Sequence, residues 1–136
     1  MLVHASCVRW QNKGILLIGD SGSGKSTAAL ALIEKGATLV ADDYTEISLK
    51  NEKIQATCPE NILGKIEVRG VGIVPTKAKK ETFIDIVIQC VPDFSSIERM
   101  PEEKLYSLLE KTLPMYRLCP FESVFTTKVS FILATL

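Results

Sequence analysis

The sequence predicts a single α/β domain with a mixed sheet and flanking helices. A glycine-rich loop at residues 19–26 stands between the apolar residues 15–18 and a segment of helical composition, which is the strand, loop and helix order of a phosphate-binding unit. More strand-like segments follow than a regular alternation of strands and helices contains. The 136 residues suffice for one core but not for a second independent domain. We therefore expect one domain over residues 1–136.

The chain opens with two strand-like segments. Residues 3–10 have strand composition, Lys13-Gly14 interrupts the pattern, and residues 15–18 form the fully apolar run that is typical of a central strand. These segments predict a hairpin that leads into the glycine-rich loop. Beyond the loop, residues 27–35 have helical composition, and Gly36 is a suitable residue to end that helix.

Two acidic residues follow the next strand. Residues 38–41 form an apolar run that ends at Asp42-Asp43, which places the carboxylates where open α/β sheets bind their ligands. Residues 44–58 alternate polar and apolar side chains around Asn51-Glu52 and predict two antiparallel strands joined by a turn. Residues 66–74 predict one strand, whose two glycines either form a bulge or admit another backbone.

The last third of the chain predicts one strand and two helices. Residues 82–91 have strand composition. Pro101 with two glutamates behind it is typical of a helix start, and we expect this helix to reach about Lys111. A final amphipathic helix is expected within residues 122–136. The lysine-rich residues 77–80 favour a solvated loop over a phosphate or partner site.

The glycine-rich loop carries the strongest functional signal. Its glycines allow a tight bend in which successive backbone N–H groups point at a polyphosphate, and the positive end of the following helix faces the same phosphates. The lysine supplies a mobile cation, and the serine after it supplies a hydroxyl group for Mg²⁺. We expect ATP with Mg²⁺ to bind through Gly19, Asp20, Ser21, Gly22, Ser23, Gly24, Lys25, Ser26 and Thr27.

Five further residues are candidates for chemistry. Successive strand residues point to opposite faces, so a regular strand presents only one of Asp42 and Asp43 to the loop. Either Asp42 orders the metal while Asp43 caps a turn, or Asp43 faces the acceptor and takes its proton. His4 is either catalytic or a core histidine bonded to backbone. Glu67 is either a metal ligand or the partner of Arg69 in a surface ion pair.

Composition argues against several classes of protein. Lys and Arg together number 16, as do Asp and Glu, so no broad basic surface is available for nucleic acid. The four cysteines are far apart and the chain has one histidine, so we expect buried thiols in a reducing compartment rather than a zinc site. No apolar stretch is long enough to span a bilayer, and no signal-peptide pattern is present. We expect a cytoplasmic protein without a membrane partner.

The chain resembles the bacterial HPr kinase/phosphorylase family over roughly residues 2–75. The resemblance rests on four segments in the family's order and spacing, namely His4, the loop at residues 19–26, residues 39–43 and residues 66–73. It implies a domain of the phosphoenolpyruvate carboxykinase-like type, corresponding to the HPr kinase C-terminal domain. It also implies a short member of the family that lacks the N-terminal regulatory domain of the long forms.

The resemblance further implies an activity and a role for each matching residue. Members of the family are ATP-dependent protein-serine kinases that act on the phosphocarrier HPr, in regulation of the phosphotransferase system, and many also run phosphorolysis. Lys25 would hold the β and γ phosphates, while Ser26 and Glu67 would bind Mg²⁺. Asp43 would take the proton of the acceptor serine, and His4 would stand beside the transferring phosphoryl group. Long relatives form hexamers, so a homo-oligomer is one expected state.

The C-terminal region departs from the family pattern. Long members carry a P-x-R-P-G-R-N stretch with a catalytic arginine, which residues 113–120 do not reproduce. Arg117 and the more remote Arg99 are the substitutes available, so phosphorolysis has less support than kinase activity. Two alternatives stay open: a small-metabolite kinase with Asp42 as its metal carboxylate, and an ATP-binding regulator without turnover. An arginine-rich lid for a small acceptor is missing, which favours a protein acceptor.

Overall fold

The computed structural model describes residues 1–136, which form two α-helices and twelve strands. Two short 3₁₀ turns, Glu60–Ile62 and Phe94–Ser96, lie between strands. In chain order the elements are β1 (Leu2–Val3), β2 (Ser6–Trp10), β3 (Lys13–Ile18), α1 (Lys25–Glu34), β4 (Thr38–Ala41), β5 (Thr45–Lys50), β6 (Lys53–Thr57), β7 (Lys65–Val68), β8 (Gly72–Pro75), β9 (Glu81–Phe83), β10 (Ile86–Cys90), β11 (Lys104–Leu108), β12 (Lys111–Leu118) and α2 (Phe125–Leu133).

Six strands form a central mixed sheet, which confirms the predicted fold class. Their spatial order is β11-β12-β10-β3-β2-β4. β10 is parallel to β3 and to β12, whereas β2 is antiparallel to β3 and to β4. The carboxyl ends of β3, β4, β10 and β12 therefore lie at one edge of the sheet, and β2 begins at that edge. A second sheet has the order β1-β5-β6-β9, and β7 and β8 form a separate hairpin.

Alternating side chains of the central strands divide the interior into two cores. In β3, Ile15 and Leu17 belong to the cluster that contains Leu32 of α1 and Phe125 of α2. Leu16, between them, belongs to the cluster that contains the inner face of the four-stranded sheet. The helices thus cover one face of the central sheet and the second sheet covers the other, which is why residues 15–18 of β3 are all apolar.

Gly14 allows the two sheets to meet closely. It lies inside β3, and the turn before it is formed by Gln11 and Asn12, with φ of 52° and 64°. A Cβ atom at Gly14 would lie 1.9 Å from the carbonyl oxygen of Phe83. Its N–H group donates to Asp85 Oδ2 at 2.8 Å. A side chain would therefore force the sheets apart.

The helix predicted from Pro101 to about Lys111 is wrong. β11 and β12 form an antiparallel hairpin instead, and its turn residues Leu109 and Glu110 have φ of 50° and 63°, as tight hairpins require. The local Pro-Glu-Glu signal is overridden because β12 pairs with β10 and extends the central sheet. β11 then gains a complete hydrogen-bonding partner in β12.

Residues 66–74 form a hairpin rather than one strand with a bulge. β7 and β8 pair around a turn in which Gly70 has φ of 87°, and Gly72 has φ of 120°. Glycine adopts positive φ values readily, which explains why two glycines stand at this turn. Residues 82–91 are also divided, because β9 belongs to the four-stranded sheet and β10 to the central one.

The basic residues 77–80 are exposed, as predicted for a solvated loop, but their backbone also bonds to β4. The N–H group of Leu39 donates to the carbonyl oxygen of Lys77 at 3.1 Å, and the N–H group of Lys79 donates to the carbonyl oxygen of Leu39 at 2.9 Å. This pairing covers the open side of β4, the edge strand of the central sheet. An edge covered by lysine-bearing chain is protected against pairing with another molecule.

Most of the remaining predictions are confirmed. Residues 27–35 lie almost wholly in α1, which begins two residues earlier, and α2 lies inside residues 122–136. β5 and β6 pair around Asn51 and Glu52, which have φ of 54° and 66°. Neither helix is long and apolar enough to cross a membrane.

The cysteines are all free, and three of them are buried as predicted. Cys58 is the exception, because it is half-buried. Burial raises the pKa of the Cys7 thiol and raises that of Cys90 to about 12. These thiols therefore behave as small apolar groups of the core.

Candidate active site

Separate chain segments meet at the edge of the central sheet where β3 and β4 end. The glycine-rich loop follows β3, Asp42-Asp43 follow β4, and His4 precedes β2, which runs in the opposite direction. β7, which carries Glu67, packs against α1 beside them. Together they surround a cleft of about 690 Å³, a volume typical of a small-molecule site. The sequence-predicted residues that line it are His4, Ser21, Gly22, Gly24, Lys25, Ser26, Thr27, Asp43 and Glu67.

The backbone of the loop is shaped as an anion cradle. Gly19, Gly22 and Gly24 have φ of 147°, 82° and 102°, which side chains would disfavour. The turn is closed by a bond from the N–H group of Ser23 to the carbonyl oxygen of Asp20 at 3.0 Å. α1 begins directly afterwards at Lys25, so the N–H groups of its first turn have no intrahelical acceptors. These groups and the helix dipole favour a bound phosphate.

Lys25 is held inside the loop. Its side chain is buried, and Nζ donates to the carbonyl oxygens of Gly19 at 2.8 Å and Asp20 at 3.2 Å. Both acceptors are neutral, so the charge of Lys25 is not neutralised by a carboxylate. The hydroxyl of Ser23 is also buried and has no hydrogen-bond partner. The loop therefore presents positive charge and unsatisfied donors, which suits a polyphosphate.

The carboxylate of Asp42 lies below the cleft, between Ser26 at the start of α1 and Glu67 of β7. Its residue surface is 7% exposed, and Oδ2 accepts the backbone N–H of Glu67 at 3.0 Å. Oδ1 lies 3.4 Å from Ser26 Oγ and 3.3 Å from Ser6 Oγ, which is long for hydroxyl hydrogen bonds. Asp42 therefore stands beside the predicted metal-binding hydroxyl without lining the cleft.

Asp43 faces the cleft because the strand has already ended. Its φ of 66° takes it out of strand geometry, so the alternation of faces no longer applies to Asp42 and Asp43. Asp43 Oδ1 lies 2.7 Å from His4 Nε2. The buried Ser6 hydroxyl accepts the backbone N–H of Asp43 at 2.9 Å. Asp42 thus lies beside Ser26 and Asp43 lines the cleft, so the two carboxylates occupy different places around the loop.

His4 is an exposed residue in the break between β1 and β2, not a core histidine. Beyond its contact with Asp43, its ring stacks on Tyr44 with a centroid distance of 5.0 Å and an interplanar angle of 22°. Sequence reasoning missed both Tyr44 and Ser6. A serine inside the apolar run of β2 was a usable signal for Ser6, because a buried hydroxyl requires a partner.

Glu67 and Arg69 both line the cleft but do not form an ion pair with each other. Glu67 is exposed in β7, and Arg69 lies beyond it in the turn to β8. No group of three His, Cys, Asp or Glu side chains is arranged to hold a metal. Mg²⁺, however, is usually held by one or two protein oxygens together with substrate phosphates and water. Ser26, Glu67 and the adjacent Asp42 fit an ion that arrives with a nucleotide.

The two C-terminal arginines lie elsewhere. Arg99 and Arg117 line a second cleft of about 510 Å³, beside β11 and β12. Arg117 Nη1 is 3.5 Å from the carbonyl oxygen of Ser96. Neither arginine lines the first cleft, where Arg69 is the arginine present.

The fold and the cleft define an α/β domain of the class in which a glycine-rich loop joins a central strand to a helix and faces carboxylates. The family model for the HPr Serine kinase C-terminal domain matches residues 1–118, and the chain belongs to this family. This confirms the resemblance found in the sequence. It also agrees with the predicted fold of the HPr kinase C-terminal type.

Full-length relatives are considerably longer than this chain. The HPr kinase/phosphorylase of Thermoanaerobacter sp. (strain X514) is 40% identical over 115 residues, which cover 79% of this chain and 35% of that protein. The HPr kinase/phosphorylase of Malacoplasma penetrans (strain HF-2) is 32% identical over 125 residues, covering 84% of this chain and 42% of the relative. The chain thus spans less than half the length of either.

A solved structure shares the whole fold. The Hpr(Ser) kinase/phosphatase from Coxiella burnetii superposes with a TM-score of 0.87, covering 99% of this chain and 90% of that one, at 20% sequence identity. At this identity the likeness concerns the fold alone. The architecture described above is therefore that of a known domain.

Proposed function

We propose that residues 1–136 form the catalytic domain of an ATP- and Mg²⁺-dependent protein-serine kinase that acts on a phosphocarrier of the HPr type. The observation that carries this proposal is the convergence of His4, Lys25, Ser26, Asp43 and Glu67 on one cleft. The names of the relatives, HPr kinase/phosphorylase, supply the substrate class. The reaction consumes intracellular ATP, so we place it in the cytoplasm.

The nucleotide side of the reaction uses the loop. Backbone N–H groups of residues 21–27 bind the phosphates, and Lys25 exchanges its two carbonyl acceptors for β- and γ-phosphate oxygens. Ser26 and Glu67 would hold Mg²⁺, and the buried carboxylate of Asp42 lies beside them, 3.4 Å from Ser26 Oγ. When bound, the ion neutralises charge that develops on the transferring phosphoryl group.

The acceptor side uses Asp43. Its carboxylate lies in an open cleft, where the serine hydroxyl of a protein acceptor can reach it. Asp43 accepts a hydrogen bond from that hydroxyl and aligns its oxygen with the γ-phosphorus. As the new oxygen–phosphorus bond forms, the bond from the γ-phosphorus to the β–γ bridging oxygen breaks, ADP leaves, and Asp43 takes the hydroxyl proton. A loose transition state needs positioning more than basicity, because the proton leaves late. His4, stacked on Tyr44, holds the other side of the carboxylate through its Nε2 atom.

Kinase activity has more support than phosphorolysis. The arginine that long members use for catalysis has no counterpart at the cleft among residues 99–117, since Arg99 and Arg117 line the second cleft. The same observation keeps an ATP-binding regulator without turnover as the second candidate function. An open site without an enclosing segment gives little support to a small-metabolite kinase.

A phosphoryl-transfer assay tests the proposal. The chain is incubated with γ-labelled ATP, Mg²⁺ and an HPr-type protein, with a serine-to-alanine variant of that protein as control. Serine phosphorylation of the acceptor, absent from the control, is expected. ATP binding without transfer would identify the regulator instead. Adding inorganic phosphate to phosphorylated acceptor measures phosphorolysis, with pyrophosphate as the product to detect.

A further inference from the structure

We infer that Phe121 forms the base-binding wall of the cleft and stacks on the adenine ring of the nucleotide. This inference rests on the proposed function, because it requires the triphosphate to occupy the glycine-rich loop. Phe121 is the one Phe, Tyr or Trp side chain that lines the cleft. No motif in the sequence pointed to it.

Phe121 lies against the loop itself. A Cβ atom added to Gly24 would come within 3.0 Å of Pro120 Cγ and 3.2 Å of Phe121 Cε2. The ring therefore packs directly over the last glycine before Lys25, next to the N–H groups that receive phosphates. Gly24 needs to be glycine both for its φ of 102° and for this close approach.

The order of strands places Phe121 opposite the catalytic groups. β3 carries the loop, β2 and β4 lie on one side of it, and β10 and β12 lie on the other. Asp43 follows β4, whereas Phe121 follows β12. A nucleotide whose γ-phosphate points to Asp43 thus extends its base toward Phe121 as it crosses the end of β3.

The ring of Phe121 is exposed, and the chain on either side of it is anchored. Phe121 is 57% exposed, although the preceding residues Cys119 and Pro120 are buried. The N–H group of Glu122 donates to the carbonyl oxygen of Cys119 at 3.2 Å, and Glu122 pairs with Lys128 of α2 at 2.9 Å. An exposed aromatic face beside a cationic loop, on a backbone that these contacts anchor, is a stacking platform for a base.

Comparing ATP with inorganic tripolyphosphate isolates the base. Both are titrated calorimetrically with Mg²⁺ into the chain and into Phe121→Ala, Phe121→Tyr and Phe131→Ala. Phe131 is 74% exposed on α2 and lines neither cleft, so it is the matched control. We expect Phe121→Ala to bind ATP about tenfold more weakly and tripolyphosphate as the wild type does. Phe121→Tyr and Phe131→Ala should bind both ligands normally.

The remaining outcomes distinguish a failure of the inference from a failure of the proposed function. Unchanged ATP affinity in Phe121→Ala, or an equal loss for both ligands, overturns the inference while leaving the proposed function intact. Leu30 of α1 also lines the cleft, and Leu30→Ser is titrated with the same two ligands. A selective loss of ATP affinity in Leu30→Ser, but not in Phe121→Ala, also overturns the inference, because the base would then lie on α1. If the wild type binds neither ligand, the proposed function fails and the inference fails with it. Retained tripolyphosphate binding also shows that Phe121→Ala is folded.

Discussion

Replacing each of the two adjacent aspartates by asparagine should give different effects. Asp42→Asn should mainly lower stability, and Asp43→Asn should mainly lower phosphoryl transfer. Asp42→Asn removes the charge and one of the two acceptor oxygens of the side chain, which weakens the bond that the Glu67 N–H group makes at 3.0 Å. With the charge present, such a bond contributes roughly 1.5–3 kcal/mol. The two hydroxyl contacts are too long to add much. We expect the free energy of unfolding to fall by about 2 kcal/mol.

Asp43→Asn should show the opposite pattern. The side chain of Asp43 is 53% exposed and its hydrogen-bond partner is His4, so the variant should lose less than about 1 kcal/mol of stability. Asparagine also tolerates the φ of 66°. Phosphoryl transfer to the acceptor serine should nevertheless fall about 100- to 10,000-fold, because the proton acceptor is gone.

Urea unfolding and single-turnover transfer of labelled phosphate measure the two effects separately. Equal losses of stability in Asp42→Asn and Asp43→Asn would refute the burial argument, since their exposures differ so strongly. Wild-type transfer by Asp43→Asn would refute the assignment of the proton acceptor. Tripolyphosphate affinity is the control, and it should not fall in Asp43→Asn, because the substitution removes a negative charge from the cleft that receives the phosphates.

Three further predictions follow from the same geometry. Lys25→Met should weaken tripolyphosphate binding at least about tenfold in calorimetry, whereas unchanged affinity would contradict the role of the loop. Gly14→Ala should lower the free energy of unfolding by roughly 3 kcal/mol, and Gly36→Ala, with open space around it, by only about 1 kcal/mol; similar losses would argue against the sheet contact. Cys58 should react with a thiol reagent at pH 8 long before Cys90, whose pKa is about 12; faster labelling of Cys90 would contradict its burial.

Local sequence patterns were sufficient where a residue's neighbours along the chain decide its structure. The loop between β3 and α1, the strand that ends at Asp42 and the turn at Asn51-Glu52 all follow from glycine placement, apolar runs and turn residues. Family resemblance added roles for His4 and Glu67. Whether those residues lie close together depends on the tertiary structure.

Longer-range pairing decided the rest. The Pro101 segment has a local helix signal, but β11 forms because β12 adds to β10 and offers a partner that no local pattern encodes. Likewise, no local pattern distinguishes Phe121 from other exposed aromatic residues. It lies against Gly24 of the loop because it follows β12 in the central sheet.

The sequence by itself determined that this chain holds a glycine-rich loop between a strand and a helix, a strand ending in carboxylates and an α/β core, because those features depend on contacts a few residues apart. Only the tertiary structure decided that His4 meets Asp43 across 39 residues, that Asp43 lines the cleft while Asp42 is buried beside Ser26, and that the C-terminal arginines lie elsewhere. The physical reason is strand direction: β2 runs against β3 and β4, so its beginning and their ends share one edge.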